Sequence, residues 1–481
     1  MSGKAVGTLG GVRGLQLKTL EFEDARDAAE IFGEVAHLPY SCFLDSSLRM
    51  PRFGNYSFIG FDPYLVLTTR GTRARFARRQ GEILEEGIDP FEALRRSIGE
   101  LQVKGGGARR LPPFLSGGIG FLSYELGRYI ERLPATVRDD LGLPELAFCF
   151  YDRVVAVDHR SGRKVLAVSI PEGNDPARIL EGCKERIAAG AGSGESGGPP
   201  QSPEGTPLEF ESGFTREQYL EAVSRVKEYI MAGDIYQANL SQRFSAPLLE
   251  PAWSLYRRLR ALNPAPFSAY LNFPGFAVAS SSPERFLLVR GNRVETRPIK
   301  GTRPRFAEPA ADIASRRELE TSAKDRAELS MIVDLERNDL GRVCEYGSVI
   351  VEEHAVLESY ATVHHLVSTV TGRLHPGRDL IDLLKATFPG GSITGAPKIR
   401  SMEIIDELEP TARSVYTGSI GYIGQAGCHD FNIAIRTMII TGGRVYFQVG
   451  GGIVADSEPE AEYQETLDKG LAMFKAVTGG R

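Results

Sequence analysis

The stretch Glu328-Leu-Ser-Met-Ile-Val-Asp-Leu-Glu-Arg-Asn-Asp-Leu-Gly-Arg342 begins with an acid and continues in a mostly apolar run. Asp325 precedes Glu328 by three residues, so both carboxylates share one face of the helix predicted over residues 325–336. The mostly apolar residues 329–335 favour at least partial burial of this helix. Because a buried carboxylate needs a compensating cation, the pair is a candidate site for a metal or an ion pair.

A second pair of acids has the same spacing near the C-terminus. Glu462 and Glu465 lie three residues apart in a helix predicted over residues 459–477, and Lys469 follows on the same face. Taken alone, such a pair is typical of a solvated surface or of a structural ion pair with Lys469. Carboxylate pairs that offer only oxygen ligands also suit Mg²⁺.

Helices and strands are interspersed along the chain without a repeated βαβ pattern, which predicts an α+β fold. A capping box, Thr215-Arg-Glu-Gln218, begins a helix with one apolar face that ends at Gly233. A further helix is predicted over residues 399–407. Strands are predicted at residues 56–59, 65–69, 153–157, 276–280, 285–289, 420–422, 431–440 and 445–448.

The length and composition of the chain predict two regions and a connection. With 481 residues the chain exceeds what one simple core supports. Residues 189–213 are rich in Gly, Ser, Pro and Glu, which is typical of a flexible linker. The prediction is therefore an N-terminal region of residues 1–188, the linker, and a catalytic region of residues 214–481.

Charge and hydropathy exclude several classes of function. The formal net charge is −5, which gives no electrostatic reason for nucleic-acid binding. No apolar run is long enough for a membrane span and the N-terminus has no signal-peptide pattern, so a cytoplasmic protein with no membrane partner is expected. The five scattered cysteines lack metal-binding spacing and are predicted to be reduced packing residues.

The sequence lacks the residues that a nucleotide-binding site or a hydrolase site would require. The run Gly390-Gly-Ser-Ile-Thr-Gly395 has the glycine spacing of a phosphate loop, but Ala396 stands where that loop requires lysine. There is no Gly-x-Cys-x-Gly or Gly-x-Ser-x-Gly elbow either, so the chain offers no evident glutaminase nucleophile.

Five motifs together resemble the chorismate-utilising enzymes, which include component I of anthranilate synthase and of aminodeoxychorismate synthase, with isochorismate and salicylate synthases as relatives. They are Pro298-Ile-Lys-Gly-Thr-Arg-Pro304, the stretch 328–342, Val363-His-His-Leu-Val367, Gly391-Ser-Ile-Thr-Gly-Ala-Pro-Lys398 and Gln448-Val-Gly-Gly-Gly-Ile-Val454. The resemblance implies the composite component I fold: two large antiparallel sheets packed face to face, with outer helices.

The resemblance also implies a set of site residues. Glu328 and Glu465 are expected to bind Mg²⁺ directly, with Asp325 and Glu462 in support. Glu284 matches the acid that protonates the departing C4 hydroxyl, and His365 matches a histidine near the substrate ring. The substrate-binding residues implied in this way are Tyr416, Arg436, Gly450, Gly451, Gly452, Thr394 and Lys469.

Lys300 separates the branches of the family. The motif Pro-Ile-Lys-Gly-Thr resembles the aminodeoxychorismate synthases, whereas anthranilate synthases carry alanine at this position. A neutral amine there can attack C2 of chorismate before ammonia enters at C4. The implied function is C4 amination to 4-amino-4-deoxychorismate for folate synthesis, with ammonia from a separate glutaminase subunit.

Two alternatives stay open at this point. One is anthranilate synthase component I, which makes anthranilate and pyruvate for tryptophan synthesis. The other is a non-catalytic, ligand-binding regulatory subunit with the same fold. The segments Phe43-Leu-Asp-Ser46 and Asn263-Pro-Ala-Pro-Phe-Ser268 depart from those of the tryptophan-regulated anthranilate synthases.

Overall fold

The structure is a computed structural model of the chain and describes residues 15–50, 52–100, 111–171, 176–189, 209–360 and 363–479. Its strands are β1 Leu15–Phe22, β2 Cys42–Asp45, β3 Tyr56–Gly60, β4 Leu65–Arg70, β5 Arg73–Arg78, β6 Gly81–Glu86, β7 Gly117–Leu122, β8 Leu146–Tyr151, β9 Arg153–Asp158, β10 Lys164–Pro171, β11 Glu211–Ser212, β12 Gln237–Pro247, β13 Phe267–Phe273, β14 Phe276–Ser282, β15 Arg285–Arg290, β16 Arg293–Arg297, β17 Ile299–Pro304, β18 Ile350–Ser359, β19 Val363–Arg373, β20 Gly395–Ala396, β21 Ser419–Gly424, β22 Cys428–Asn432, β23 Thr437–Thr441 and β24 Arg444–Ile453.

The helices lie between these strands and at the C-terminus. They are α1 Ala28–Gly33, α2 Pro90–Gly99, α3 Pro176–Ala189, α4 Arg216–Met231, α5 Ala252–Leu262, α6 Pro309–Thr321, α7 Ala323–Gly341, α8 Leu380–Thr387, α9 Lys398–Leu408 and α10 Pro459–Val477, with short 3₁₀ turns at Tyr124–Tyr129 and Gly391–Ile393.

The strands form two antiparallel sheets of 12 strands each, which confirms the predicted α+β class. One sheet has the order β1-β10-β9-β3-β2-β13-β14-β23-β24-β12-β11, with β20 added beside β12. The other has the order β17-β19-β16-β15-β22-β21-β7-β8-β4-β5-β6, with β18 beside β19. Each sheet contains strands from both sides of residues 189–213, so the two halves of the sequence share both sheets.

The two sheets pack face to face, and the helices cover their outer faces. An apolar cluster that includes Phe58 and Leu271 of the first sheet and Phe121 and Tyr422 of the second fills the space between them. Helices α1, α5 and α10 pack on the outer face of the first sheet, and α2, α7 and α8 on that of the second. Burial of one face of each helix is what the amphipathic patterns predict.

Most predicted elements match the structure closely. Helix α10 has the predicted bounds, and α4 begins with the expected capping box between Thr215 and Gln218. The strand predicted over residues 431–440 is wrong, because β22 ends at Asn432 and β23 begins at Thr437. Between them the chain crosses from one sheet to the other, and Arg436 takes a φ of 50°, which a strand does not allow.

Several further predictions concern the whole chain. Residues 190–208 of the predicted linker lie outside the described residues, and Glu211–Ser212 at its end pairs with β12. All five cysteines are buried and free. Among the helices in the described part of the chain, none combines the length and the apolar character that a membrane crossing requires.

Candidate active site

The candidate residues gather where the chain passes between the two sheets. Glu284 lies on the short connection from β14 in the first sheet to β15 in the second. Arg436 lies on the return connection from β22 to β23. Lys300 belongs to β17 at the edge of the second sheet, and the glycines Gly450–Gly452 belong to β24 of the first.

Glu284 is a buried carboxyl group with one strong side-chain partner. The hydroxyl of Ser392 donates a hydrogen bond of 2.7 Å to its Oε1. Burial raises the pKa of Glu284 to about 7, although the Ser392 hydrogen bond and the charge of Lys300 act in the opposite direction. A carboxyl group with this pKa can hold a proton near neutral pH and deliver it to a leaving group.

The amine of Lys300 lies next to the same segment. Its Nζ donates to the carbonyl oxygen of Ser392 at 3.4 Å. Burial lowers the pKa of Lys300, the charge of Glu328 opposes this, and the positive charge of Lys469 contributes to the lowering. Arg297, three residues before Lys300, donates to Glu358 at 2.6 Å.

A bulge in β17 sets the position of Lys300 relative to His365. Lys300 pairs with Leu366 and Thr302 with His365, so the register shifts at Gly301, which has a φ of 70°. His365 Nδ1 lies 3.0 Å from the hydroxyl of Thr302. Burial lowers the pKa of His365 to about 3, and the charge of Arg436 adds to this. A neutral imidazole at this position is suited to orienting a substrate.

The acids of α10 lie against the glycine strand. Lys469 Nζ is 2.6 Å from Glu465 Oε1 and donates to the carbonyl oxygen of Gly450 at 3.0 Å. A Cβ added at Gly451 would lie 3.2 Å from Glu462 Oε2 and 3.5 Å from Glu465 Oε1. The absence of a side chain at Gly451 therefore leaves the carboxylates of α10 in direct reach of the strand backbone.

The acids of α7 face the same region from the other sheet. Burial raises the pKa of Glu328, and the negative charges of Asp325 and Glu465 add to the increase. Asp325 Oδ2 also forms an ion pair with Arg303 at 3.2 Å. Glu328 and Glu465, from α7 and α10, are thus close enough to interact electrostatically.

These carboxylates suit a hard divalent cation. All four predicted metal ligands offer only oxygen atoms, and burial raises the pKa of Glu462 as it does that of Glu328. Within the described ranges no group of three or more His, Cys, Asp or Glu side chains is arranged so that it could hold a metal ion. The assignment of Mg²⁺ to these residues therefore stays a prediction, and the oxygen donors are chemically suited to that cation.

Three further predicted binding residues contact neighbouring side chains or backbone. Tyr416 is buried, with the guanidinium of Arg413 at 5.9 Å from its ring centroid. Arg436 donates to Asn263 Oδ1 at 3.0 Å, and burial lowers its pKa. Thr394 is buried and its hydroxyl donates to the carbonyl oxygen of Gly390 at 3.0 Å.

Two residues that the sequence did not single out organise the site. Ser392 contacts both Glu284 and Lys300, and Arg413 donates to the carbonyl oxygens of Ile393 and Asn239. Arg413 is neutralised by Glu409 at 2.6 Å, and both side chains are fully buried. Only the fold brings these segments together, since Ser392 and Glu284 are 108 residues apart in the sequence.

A separate cavity of about 110 Å³ lies between the sheets. Both segments that depart from the tryptophan-regulated enzymes contribute to its lining, through Asp45 and Ser46 on one side and Phe267 and Ser268 on the other. The carboxylate of Asp45 is neutralised by Arg260 at 2.7 Å.

Comparisons with known proteins identify the family of the chain. The model of the chorismate binding enzyme family matches residues 52–475. The chain is 42% identical over 453 residues to "Aminodeoxychorismate synthase component 1" of Escherichia coli, covering 94% of this chain and 96% of that protein. It is 45% identical over 434 residues to "Anthranilate synthase component 1" of Streptomyces coelicolor, covering 88% and 80%.

A solved structure shares the fold over nearly the whole chain. Anthranilate synthase component I from Streptococcus pneumoniae superposes with a TM-score of 0.73 at 32% sequence identity, covering 89% of this chain and 93% of that one. The family match spans most of the sequence and includes every predicted site residue. The chain therefore belongs to the family of chorismate binding enzymes.

Proposed function

We propose that the chain is component I of an aminodeoxychorismate synthase, which converts chorismate and ammonia into 4-amino-4-deoxychorismate for folate synthesis. The observation that carries the proposal is the position of Lys300 and Glu284 on the two sides of Ser392. One is an amine with a lowered pKa, and the other is a carboxyl group with a raised pKa. Such a pair is suited to nucleophilic attack and to protonation of a leaving group.

The reaction then has two displacement steps. The Lys300 amine attacks C2 of chorismate, the ring double bond shifts, and the C4 hydroxyl leaves as water with the proton of Glu284. Ammonia next attacks C4, the double bond shifts back, and the Lys300 amine leaves C2. The proton lost by the incoming ammonia restores the acid, and the enolpyruvyl group is retained.

The other candidate residues would bind and orient the substrate. Glu328 and Glu465 would hold Mg²⁺, with Asp325 and Glu462 in support, and the bound cation would stabilise charge on the ring carboxylate. Arg436 and the backbone of Gly450–Gly452 are suited to the carboxylate of the pyruvyl side chain. Neutral His365 would orient the ring.

Ammonia would come from a glutaminase partner in the cytoplasm. The relatives are named as component 1 of two-component enzymes, and the chain has no evident glutaminase nucleophile. The purified chain is therefore expected to use ammonium salts but not glutamine, and a glutaminase subunit should restore the use of glutamine.

Product analysis tests the proposal. After incubation with chorismate, Mg²⁺ and ammonium, 4-amino-4-deoxychorismate should accumulate, and enzyme quenched without ammonia should carry a chorismate-derived mass on the peptide containing Lys300. Lys300→Ala should abolish both signals. If anthranilate and pyruvate are the main products and no adduct forms, the chain is instead component I of an anthranilate synthase. The Streptomyces coelicolor relative carries that name. Absence of any turnover would favour a ligand-binding subunit.

A further inference from the structure

An aromatic ring of the N-terminal region packs against two arginines that adjoin the proposed acid and amine. The guanidinium carbon of Arg297 lies 4.9 Å from the ring centroid of Phe53, and that of Arg285 lies 5.5 Å from it. All three side chains are buried. Arg285 directly follows Glu284, and Arg297 precedes Lys300 by three residues. One ring therefore contacts both segments that carry the proposed reacting groups.

The two arginines carry like charges and need partners to lie so close together. Arg285 and Arg297 stand directly opposite each other in the pairing of β15 with β16, and like charges in that position destabilise a sheet. Asp430 accepts two hydrogen bonds of 3.0 Å from Arg285. Glu358 accepts one of 2.6 Å from Arg297. Because the face of an aromatic ring attracts a cation, Phe53 stabilises both guanidinium groups at once.

The strand pairing beside these arginines is irregular and so gives the adjoining segments little positional control. Register shifts follow Arg285 in its pairing with both neighbouring strands. Strand β16 ends at Arg297 and β17 begins at Ile299, and Pro298 between them has no N–H to donate. The side-chain contacts of the arginines therefore supply the positional control that the backbone lacks at these points.

We propose that Phe53 is a positioning residue, which holds the acid Glu284 and the amine Lys300 in their relative places through its two arginines. The inference rests on the proposed function, because it names what sets the geometry of that reaction. Phe53 precedes residues 189–213, whereas both reacting groups follow them. The N-terminal region thus takes part in the active site without supplying a reacting group.

The test weakens the face of the ring while nearly preserving its shape. Replacing Phe53 with monofluorinated, difluorinated and trifluorinated phenylalanine withdraws electron density from the ring in steps and so reduces its attraction for a cation. Phe53→Leu removes the aromatic face altogether. The same replacements at Phe76 are the matched control, since this buried ring has the guanidinium carbon of Arg96 at 5.4 Å from its centroid. Phe76 lies on β5, near the opposite edge of the second sheet from β17.

The kinetics should separate a positioning role from a purely structural one. With ammonium and chorismate as substrates, kcat and the rate of Lys300 adduct formation should fall in steps as fluorine is added at Phe53. Phe53→Leu should lower both about tenfold or more, because a small displacement of reacting groups costs much of the rate. The KM for chorismate should stay within about twofold of the wild-type value. Phe76→Leu should lower the melting temperature as Phe53→Leu does, but it should keep wild-type kinetics.

A wild-type kcat throughout the Phe53 series would overturn the inference, and so would an equal loss of kcat in the Phe76 series. A raised KM for chorismate with an unchanged kcat would also overturn it, because Phe53 would then act on binding and not on position. If Phe53→Leu does not fold, the fluorinated variants decide the question. A wild-type enzyme that makes anthranilate without an adduct would refute the proposed function, whereas kcat in the Phe53 series would still decide the role of Phe53, since kcat is measurable for either product.

Discussion

The hydroxyl of Ser392 donates a hydrogen bond of 2.7 Å to Oε1 of Glu284. This contact stabilises the ionised carboxylate and so opposes the effect of burial, which raises the pKa of Glu284 to about 7. The same residue accepts a hydrogen bond from Lys300 through its carbonyl oxygen. Ser392 thus couples the acid and the amine of the proposed reaction.

Replacing Ser392 should move the pH profile in a defined direction. Glu284 acts in its protonated form, so kcat/KM for chorismate should fall as the pH rises through about 7. Ser392→Ala removes a hydrogen bond to the ionised form of Glu284 and so raises the pKa of Glu284 further. The pH at which kcat/KM declines should therefore rise by about one pH unit. Ser97→Ala, which removes a buried hydroxyl from α2, is the control. A decline that stays in place or moves to lower pH would contradict this role.

The elements that the sequence predicted well are those defined by local interactions. Helix α4 begins at a capping box whose two hydrogen bonds involve residues three apart, and α10 follows one apolar face between Pro459 and Val477. Helix α7 extends beyond its predicted end to Gly341. The face-to-face sheets came from the resemblance, since alternation along a strand does not indicate which strands become neighbours.

The parts that escaped prediction depend on contacts between distant residues. The crossing near Arg436 carries an apolar sequence that continues the strand pattern, and only the separation of the two sheets requires the break. Ser392 is 92 residues from Lys300 in the sequence, and although it lies in the motif of residues 391–398, only the fold shows that it contacts both Lys300 and Glu284.

Lys469 should control how readily Lys300 loses its proton. Its positive charge contributes to the lowered pKa of Lys300, so Lys469→Met should raise that pKa. The neutral fraction of Lys300 near pH 7 should then fall, about tenfold for each unit of pKa. The measurement is the rate of Lys300 adduct formation as a function of pH, in the absence of ammonia. Lys475→Met, on an exposed position of the same helix, should leave that profile unchanged, and an identical profile in Lys469→Met would refute the coupling.

Mg²⁺ binding should depend on Glu328 and Glu465 together. Glu328→Gln and Glu465→Gln each remove a charge from a crowded pair, so the Mg²⁺ concentration required for half-maximal activity should rise about 100-fold or more. Because burial raises the pKa values of Glu328 and Glu462, protons compete with the metal, and Mg²⁺ affinity should weaken as the pH falls. Calorimetric titration with chorismate present provides a second measurement. Glu460→Gln, at an exposed site in the first turn of α10, is the control, and full activity of all three variants in EDTA would exclude the metal site.

Gly301 should be essential for the geometry of β17, for a reason beyond its positive φ. An added Cβ at Gly301 would lie 2.7 Å from Leu319 Cδ1 and 3.0 Å from Asp325 Cβ. Gly291 has a similar φ of 62° but open space around it. Gly291→Ala therefore measures only the loss of folding stability caused by a side chain at positive φ, about 1–2 kcal/mol. Gly301→Ala should lower the melting temperature more than Gly291→Ala does. It should also reduce kcat and the rate of Lys300 adduct formation, because the collision displaces the bulge that places Lys300 and His365, whereas Gly291→Ala should keep wild-type kinetics. Equal melting temperatures and equal kinetics in the two variants would show that β17 tolerates the side chain and that the bulge does not position the amine.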